Sequence, residues 1–224
     1  MAIAFVAFAL FGAACGGSNE PVPTIAPAAA LERSVAALAD LTSFHFRLSH
    51  ENGTTAIPLN LALESAEGDV VLPDRFQAEL RASTGSFSAT VEVISIGGET
   101  WITNPFTRGW QSLPGLDASD FADPGRLVAD LIEALEEVEL AGQSSVDGAT
   151  VYRLKGVLAS EAVGDAIGSA QPGFRVGVEL WVDAVEFLPR RVRLSGRLSD
   201  LEPADIVREI ELSRFDAAVE IKPP

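Results

Sequence analysis

Apolar and polar residues alternate with period two along most of this chain, and that alternation restricts the fold more than any other feature. In FHFRLSH, Phe44, Phe46 and Leu48 fall on one side of an extended strand, and His45, Arg47 and Ser49 on the other. The pattern repeats in IPLNLAL (Ile57, Leu59, Leu61, Leu63), in DRFQAELRA (Phe76, Ala78, Leu80) and in SFSATVEVISI (Phe87, Ala89, Val91, Val93). Turn signals at ENGT, PD and GGE separate these runs. Asp147-Gly148 joins two further strand-like runs as a hairpin, and FRVGVELWVD, RRVRLSGRLS and IVREIELSRF finish the chain as strands. Short strands, tight turns and faces of opposite polarity predict an antiparallel meander with one buried face.

Such a face needs a cover, and a few segments switch to a helical period. ALERSVAALADL places Leu31, Val35, Leu38 and Leu41 on one stripe. After DPG, with Asp123 as N-cap and Pro124 at the first helical position, RLVADLIEALEEVE repeats Leu127, Leu131, Leu135 and Val138, with Val128 and Ile132 widening the stripe and acids on the other face. SEAVGDAIGSA reads as a weaker, glycine-softened helix. The expected fold class is α+β: a single large antiparallel sheet with two or three helices covering its apolar face.

The start of the chain reads differently. Met1–Ala14 is fourteen residues without a charge, short of the roughly 20 that a spanning helix needs and close to a signal-peptide apolar region. It ends in small residues, Gly12, Ala13 and Ala14, before Cys15, the only cysteine. This resembles the bacterial lipoprotein box, in which the cysteine takes a diacylglycerol and the chain is cut in front of it. Gly12 stands where a leucine-like residue is usual, and no positive n-region precedes the apolar run, which places the expected start codon upstream of Met1. A lone thiol forms no disulfide within the chain. GGSNEPVPTIAP then reads as a spacer. The expected organisation is a signal peptide at 1–14, a lipidated tether at 15–30 and one domain at 31–224.

The formal net charge of −16 argues against nucleic acid and against adsorption to anionic lipid through basic charge. His45 and His50, five residues apart, share neither a helix face nor a strand face, so no metal is expected. The acidic run EALEEVE reads as a solvated helix face. No nucleophile motif, dinucleotide fingerprint or P-loop is present, so no catalytic residue, cofactor or enzymatic activity is expected. Arg191, Arg193 and Arg197 could grip a lipid phosphate, yet Glu179 and Asp183 before them and Glu209 and Glu211 after them favour acidic, basic and acidic ladders across neighbouring strands.

Taken in order, Cys15 and its tether, LTSFHFRLSHENG, GETWITNP with RGWQSLP, DPGRLVADLIEAL, VDGATVYRLKG, LWVDAVEFLPRRVRLSG and IELSRFDAAVEIKPP resemble the LppX/LprG-type lipoproteins of mycobacteria over essentially the whole chain after the signal segment. The resemblance implies a curved half-barrel of antiparallel strands, akin to LolA and LolB, with helices on its concave side and an apolar cavity between them. It implies a carrier of acylated lipids or lipoglycans, held to the extracytoplasmic face of the cell membrane through Cys15, with a lipid exporter in the membrane as a partner. The expected lining is Phe76, Leu80, Phe87, Val91, Val93 and Trp101 from strands and Leu127, Leu131 and Leu135 from the helix; each would serve equally as plain core. Trp101 and Trp110 bracket ITNPFTRG, a hairpin with Phe106 at its tip that is either the cavity mouth or a capped sheet corner. The alternative function is an envelope sensor or protein-interaction module that transports nothing.

Overall fold

The computed structural model of the chain describes residues 24–57, 61–114, 124–164 and 170–224. Cys15 and Leu59 lie outside these residues, as does the side chain of Leu127. The first half of the chain forms α1 (Pro27–Ala39), β1 (Ser43–Glu51), β2 (Thr55–Ile57), β3 (Leu61–Val71), β4 (Arg75–Thr84), β5 (Phe87–Ile96), β6 (Glu99–Thr103) and β7 (Trp110–Ser112). The second half forms α2 (Pro124–Glu133), β8 (Glu136–Val146), β9 (Ala149–Ala159), β10 (Arg175–Asp183), β11 (Pro189–Ser195) and β12 (Val207–Ser213).

All twelve strands belong to one antiparallel sheet in the order β7-β6-β5-β4-β3-β1-β12-β11-β10-β9-β8, with β2 paired to β3 beside that path. Each half of the chain is a meander, and the pairing of β12 with β1 joins the two. Phe46 lies opposite Leu212 and Leu48 opposite Ile210, so the apolar stripes of both halves fall on one face. The sheet is open, with β7 and β8 at its edges among the described residues.

The apolar face carries the core. Phe44, Phe46, Phe76 and Val93 from one half, and Val178, Leu180, Val192 and Leu194 from the other, form one buried cluster with Ala30 and Leu38 of α1 and Val128, Leu131 and Ile132 of α2. The two helices also pack on each other. On α1 the buried row is Ala30, Ser34 and Leu38 rather than the larger Leu31 and Val35, which are half-buried. Arg33 lies over the Phe187 ring at 4.9 Å, and Phe187 stacks on Tyr152 at 6.3 Å, which pins the helix to the sheet.

Several elements depart from the sequence pattern for identifiable reasons. The second helix was expected to run to Val138 but ends at Glu133, and Glu136–Val146 pairs with β9 as a strand. Leu131, Leu135 and Val138 fit a helical stripe, while Val138 and Leu140 already start the period-two pattern, so the change of period is hidden at the junction. Register shifts at Glu136/Glu139 and Leu140/Gly142, with Glu137 at φ 55° and Gly142 at φ 122°, let the irregular edge strand join the sheet. IPLNLAL is split between β2 and β3, which pair with each other. β3 then runs on through ESAEGDVV, whose small Ala66 and Gly68 carry little strand signal. A Cβ on Gly68 would meet the Gln77 carbonyl oxygen at 2.1 Å, so only glycine fits that approach. The expected third helix is a single 3-10 turn at Ser160–Val163; residues 165–169 of that expectation lie outside the described residues. Asp147 (φ 48°) and Gly148 (φ 82°) form the expected two-residue hairpin.

The opposite face is polar and laced with ion pairs. Arg191 reaches Glu211 at 2.6 Å and Arg193 reaches Glu209 at 3.2 Å, which is the β11–β12 half of the ladders expected from sequence; Glu179, opposite Arg193 in register, bridges Lys155 of β9 at 3.5 Å instead. Asp183 is an exception: it is buried at the β10–β11 turn, where it accepts from the amides of Val185 and Glu186 and pairs with Arg190. Arg197 also leaves the ladder and lies over the Phe174 ring at 5.1 Å.

Candidate functional site

The apolar face of β5 changes from covered to open along a single strand. Val93 and Val91 are 7% and 8% exposed, Ala89 is half-buried, and Phe87 at the strand's start is 45% exposed. Strand pairing sets Ala78 beside Val93, Leu80 beside Val91 and Ala82 beside Ala89, so the neighbouring strand extends the same surface. Phe76 is buried and stacks on Phe46 at 5.8 Å. The register thus brings Phe76, Leu80, Phe87, Val91 and Val93 onto one face; Leu131 of α2 is fully buried in the cluster that holds Phe76 and Val93, against which Leu80 packs. Leu135 packs there too, from just beyond the helix.

Trp101 does not join them. It pairs with Ile94, whereas its neighbour Ile102 pairs with Val93, so pleating puts Trp101 on the other face of the sheet. Ile102 takes the inward position that the sequence reading gave to Trp101, because the strand enters its pairing one residue out of the assumed phase. Leu48, already on the apolar side by its alternation with Phe44 and Phe46, packs on this cluster half-buried, and so do Ile102 and Leu140, which the sequence reading does not single out.

At the open end, Phe87 stacks on Phe106 with ring centroids 5.3 Å apart, and Phe106 is 77% exposed. The β6–β7 tip that presents Phe106 is ordered. Asn104 Oδ1 accepts from the amides of Phe106 and Thr107, and the Asn104 carbonyl accepts from the Arg108 amide.

Near the same end, but on β1 and β12, the apolar face gives way to a buried polar network. Arg208 pairs with Glu202, donates from Nε to Thr55 Oγ1 at 2.8 Å and from Nη1 to the Gly196 carbonyl. Glu202 also accepts from the Leu198 amide at 2.7 Å. His50 Nδ1 lies 2.9 Å from the Glu64 carbonyl, which can only accept, so Nδ1 carries the proton and Nε2 faces the Thr55 hydroxyl. Burial, with the nearby Arg208 charge, lowers the pKa of His50 despite its bond to the Glu64 carbonyl. On α1 the Ser34 hydroxyl is fully buried and has no hydrogen-bond partner.

The polar face bears a groove of about 450 Å³ lined by His45, Glu67, Asp69, Gln77, Glu79 and Glu92. His45 sits 2.8 Å from Asp69 and 3.2 Å from Glu67, and Arg47 and Arg214 engage the same carboxylates. Among the described residues no group of three or more His, Cys, Asp or Glu is arranged to hold a metal ion.

Residues 26–221 match the model of the LppX_LprAFG lipoprotein family. The chain belongs to that family. Two solved LppX_LprAFG-like structures resemble it in fold. LprF from Mycobacterium bovis superposes with a TM-score of 0.68 at 18% identity, over 88% of this chain and 95% of that one. Lipoprotein LppX from Mycobacterium tuberculosis superposes with a TM-score of 0.63 at 15% identity, over 87% and 97%. No curated protein matches the chain in sequence. Membership of the LppX_LprAFG family supports an envelope lipoprotein, and the two structures share its open-sheet fold. Among the described residues no helix is long and apolar enough to cross a membrane.

Proposed function

We propose that this protein is a non-enzymatic carrier of acylated lipids or glycolipids, anchored through a lipidated Cys15 on the extracytoplasmic face of the cell membrane and loaded by or delivering to an exporter in that membrane. The carrying surface is the concave apolar side of a half-barrel, beneath α1 and α2. The observation that carries this reading is the stripe from buried Val93 through Val91 to exposed Phe87, an apolar track that begins under cover and ends at an open rim. Phe76, Leu80, Leu131 and Leu135 complete the lining; Trp101, on the other face, is left out of it.

Exposing an acyl chain to water costs about 0.8 kcal/mol per CH₂, so a chain of a dozen or more carbons needs a continuous apolar surface to cross an aqueous layer. The unpartnered Ser34 hydroxyl inside that surface supplies a hydrogen bond for an ester or amide group at the head of the chain. The deciding experiment is mass spectrometry of the organic extract from purified protein produced in several hosts. Reproducible acylated lipid supports the carrier; its consistent absence favours a protein-interaction module instead.

A further inference from the structure

We infer that the β6–β7 hairpin, with Phe87 stacked beneath it, docks on the surface of a lipid bilayer. This rests on the carrier reading and adds where the membrane is met. Phe106 is 77% exposed and Phe87 45%, and their stacking at 5.3 Å makes one aromatic surface from two separate hairpins. Isolated exposed apolar residues are ordinary on proteins, but a stacked pair held out by a built turn is not explained by packing. Asn104 Oδ1 satisfies the amides of Phe106 and Thr107 at 2.9 and 3.0 Å, and the Asn104 amide donates to the Gly109 carbonyl at 2.9 Å. The tip is therefore fixed with Phe106 pointing away from the core.

Charge selects the partner. The protein carries 32 acidic residues, yet from Thr100 to Pro114 the only charged residue is Arg108, next but one to Phe106. Among the described residues, Phe87 and Phe106 are the exposed aromatic side chains, and Arg108 beside them is the hairpin's cation. Aromatic rings at headgroup depth and an arginine reaching the phosphates are the composition of a bilayer interface, while an acid-rich surface would be repelled there. The location agrees: the Val93-to-Phe87 track ends at this rim, so docking here lets an acyl chain pass between bilayer and protein without crossing water. Nine residues separate Cys15 from Ile25, which packs on the core; at most about 3.3–3.6 Å per residue, such a tether lets a domain touch the bilayer that anchors it.

The test places an environment-sensitive fluorophore on a single cysteine. Cys15 is the only native one, so the full chain carrying Cys15→Ser is labelled at Thr107→Cys, or at Val185→Cys in the β10–β11 turn at the opposite end of the sheet, where Val185 is 83% exposed. With phosphatidylcholine vesicles, the label at 107 should shift to the blue, brighten and be quenched by spin-labelled lipid, while the label at 185 stays water-like. Adding Phe106→Ser should weaken the vesicle affinity read at 107 about tenfold. No shift at 107, an equal shift at 185, or a shift indifferent to Phe106→Ser each overturns the inference. Lipid extracted from the same preparations separates the two readings. Retained lipid with no shift at 107 leaves carriage standing and docking refuted, and a Phe106-dependent shift without retained lipid does the reverse.

Discussion

Arg208 and Glu202 form an ion pair inside the protein, their side chains 2% and 5% exposed, at the end of the apolar face where β12 meets the loop from Gly196 to Ile206. Two charges taken out of water persist only because each is fully engaged: Arg208 by Thr55 and the Gly196 carbonyl, Glu202 by the Leu198 amide. Glu202→Gln leaves the guanidinium buried without its counter-charge. We expect a loss of about 3–5 kcal/mol in urea unfolding, and expect Arg208→Met combined with Glu202→Met to lose much less than either single change. Additive losses in the double variant would show that the pair is solvated.

His50 touches this network through Thr55, and its lowered pKa sets a pH dependence. The unfolded chain binds a proton near the ordinary histidine value of 6.5, whereas the folded protein holds His50 neutral to lower pH. The contribution is therefore complete above 6.5 and is lost as pH falls from there towards the folded pKa, then levels. His50→Asn keeps a donor for the Glu64 carbonyl and removes the titration. Thermal midpoints measured between pH 7.5 and 5 should fall less steeply for the variant; parallel curves would refute the assignment.

How much of this was legible in the sequence depended on side-chain size. Phe44, Phe46, Leu48 and the β4–β5 stripe announce their faces because large residues alternate with polar ones. The continuation of β3 beyond Leu63 carries little signal because Ala66 and Gly68 stand at its inward positions, where Gly68 leaves room for the close approach of the β4 backbone. The α2–β8 junction misled because Val138 fits both the helical stripe of Leu131 and Leu135 and the period-two pattern it starts with Leu140, and only pairing with β9 decides between them. Trp101 belongs to the lining that the family resemblance implies, but the phase of a short strand is set by its partner, and the register of Ile102 on Val93 turns Trp101 outward. The polar network was invisible: Thr55 of β2 meets Arg208 of β12 only once the sheet is assembled, and Glu202 reaches Arg208 only through the fold of the loop that precedes β12.

Lipid attachment at Cys15 has a direct readout. The wild-type chain made in a lipoprotein-processing host should enter the detergent phase of a two-phase extraction, and Cys15→Ser should shift towards the aqueous phase. A diacylglycerol supplies the two chains that stable anchoring needs. Equal partitioning would remove the anchor.

Ser34 should give effects of opposite sign in the empty and loaded protein. Its hydroxyl is buried without a partner, a cost of about 1–3 kcal/mol that Ser34→Ala relieves. Delipidated Ser34→Ala should therefore unfold at higher temperature than delipidated wild type, while retaining less acylated lipid on purification. A variant that is more stable yet holds lipid equally would show that the hydroxyl meets no ligand.

Val91→Trp distinguishes a lipid track from packed core. Val91 is 8% exposed, sits opposite Leu80 and lies between covered Val93 and the exposed rim at Phe87. In a close-packed interior the added volume costs typically about 1–3 kcal/mol through strain, with rearranged neighbours. Where the space above Val91 is filled by an acyl chain, the indole takes the place of the chain instead, and the protein stays folded. We expect a thermal midpoint within a few degrees of wild type, since about 1 kcal/mol moves a domain of this size by roughly 2–4 °C, together with a marked loss of co-purified lipid. Aggregation or a collapse of the midpoint would identify Val91 as core. A folded variant with undiminished lipid would show that the chains run elsewhere, and the track from Val93 to Phe87 would then lose its claim to be the route.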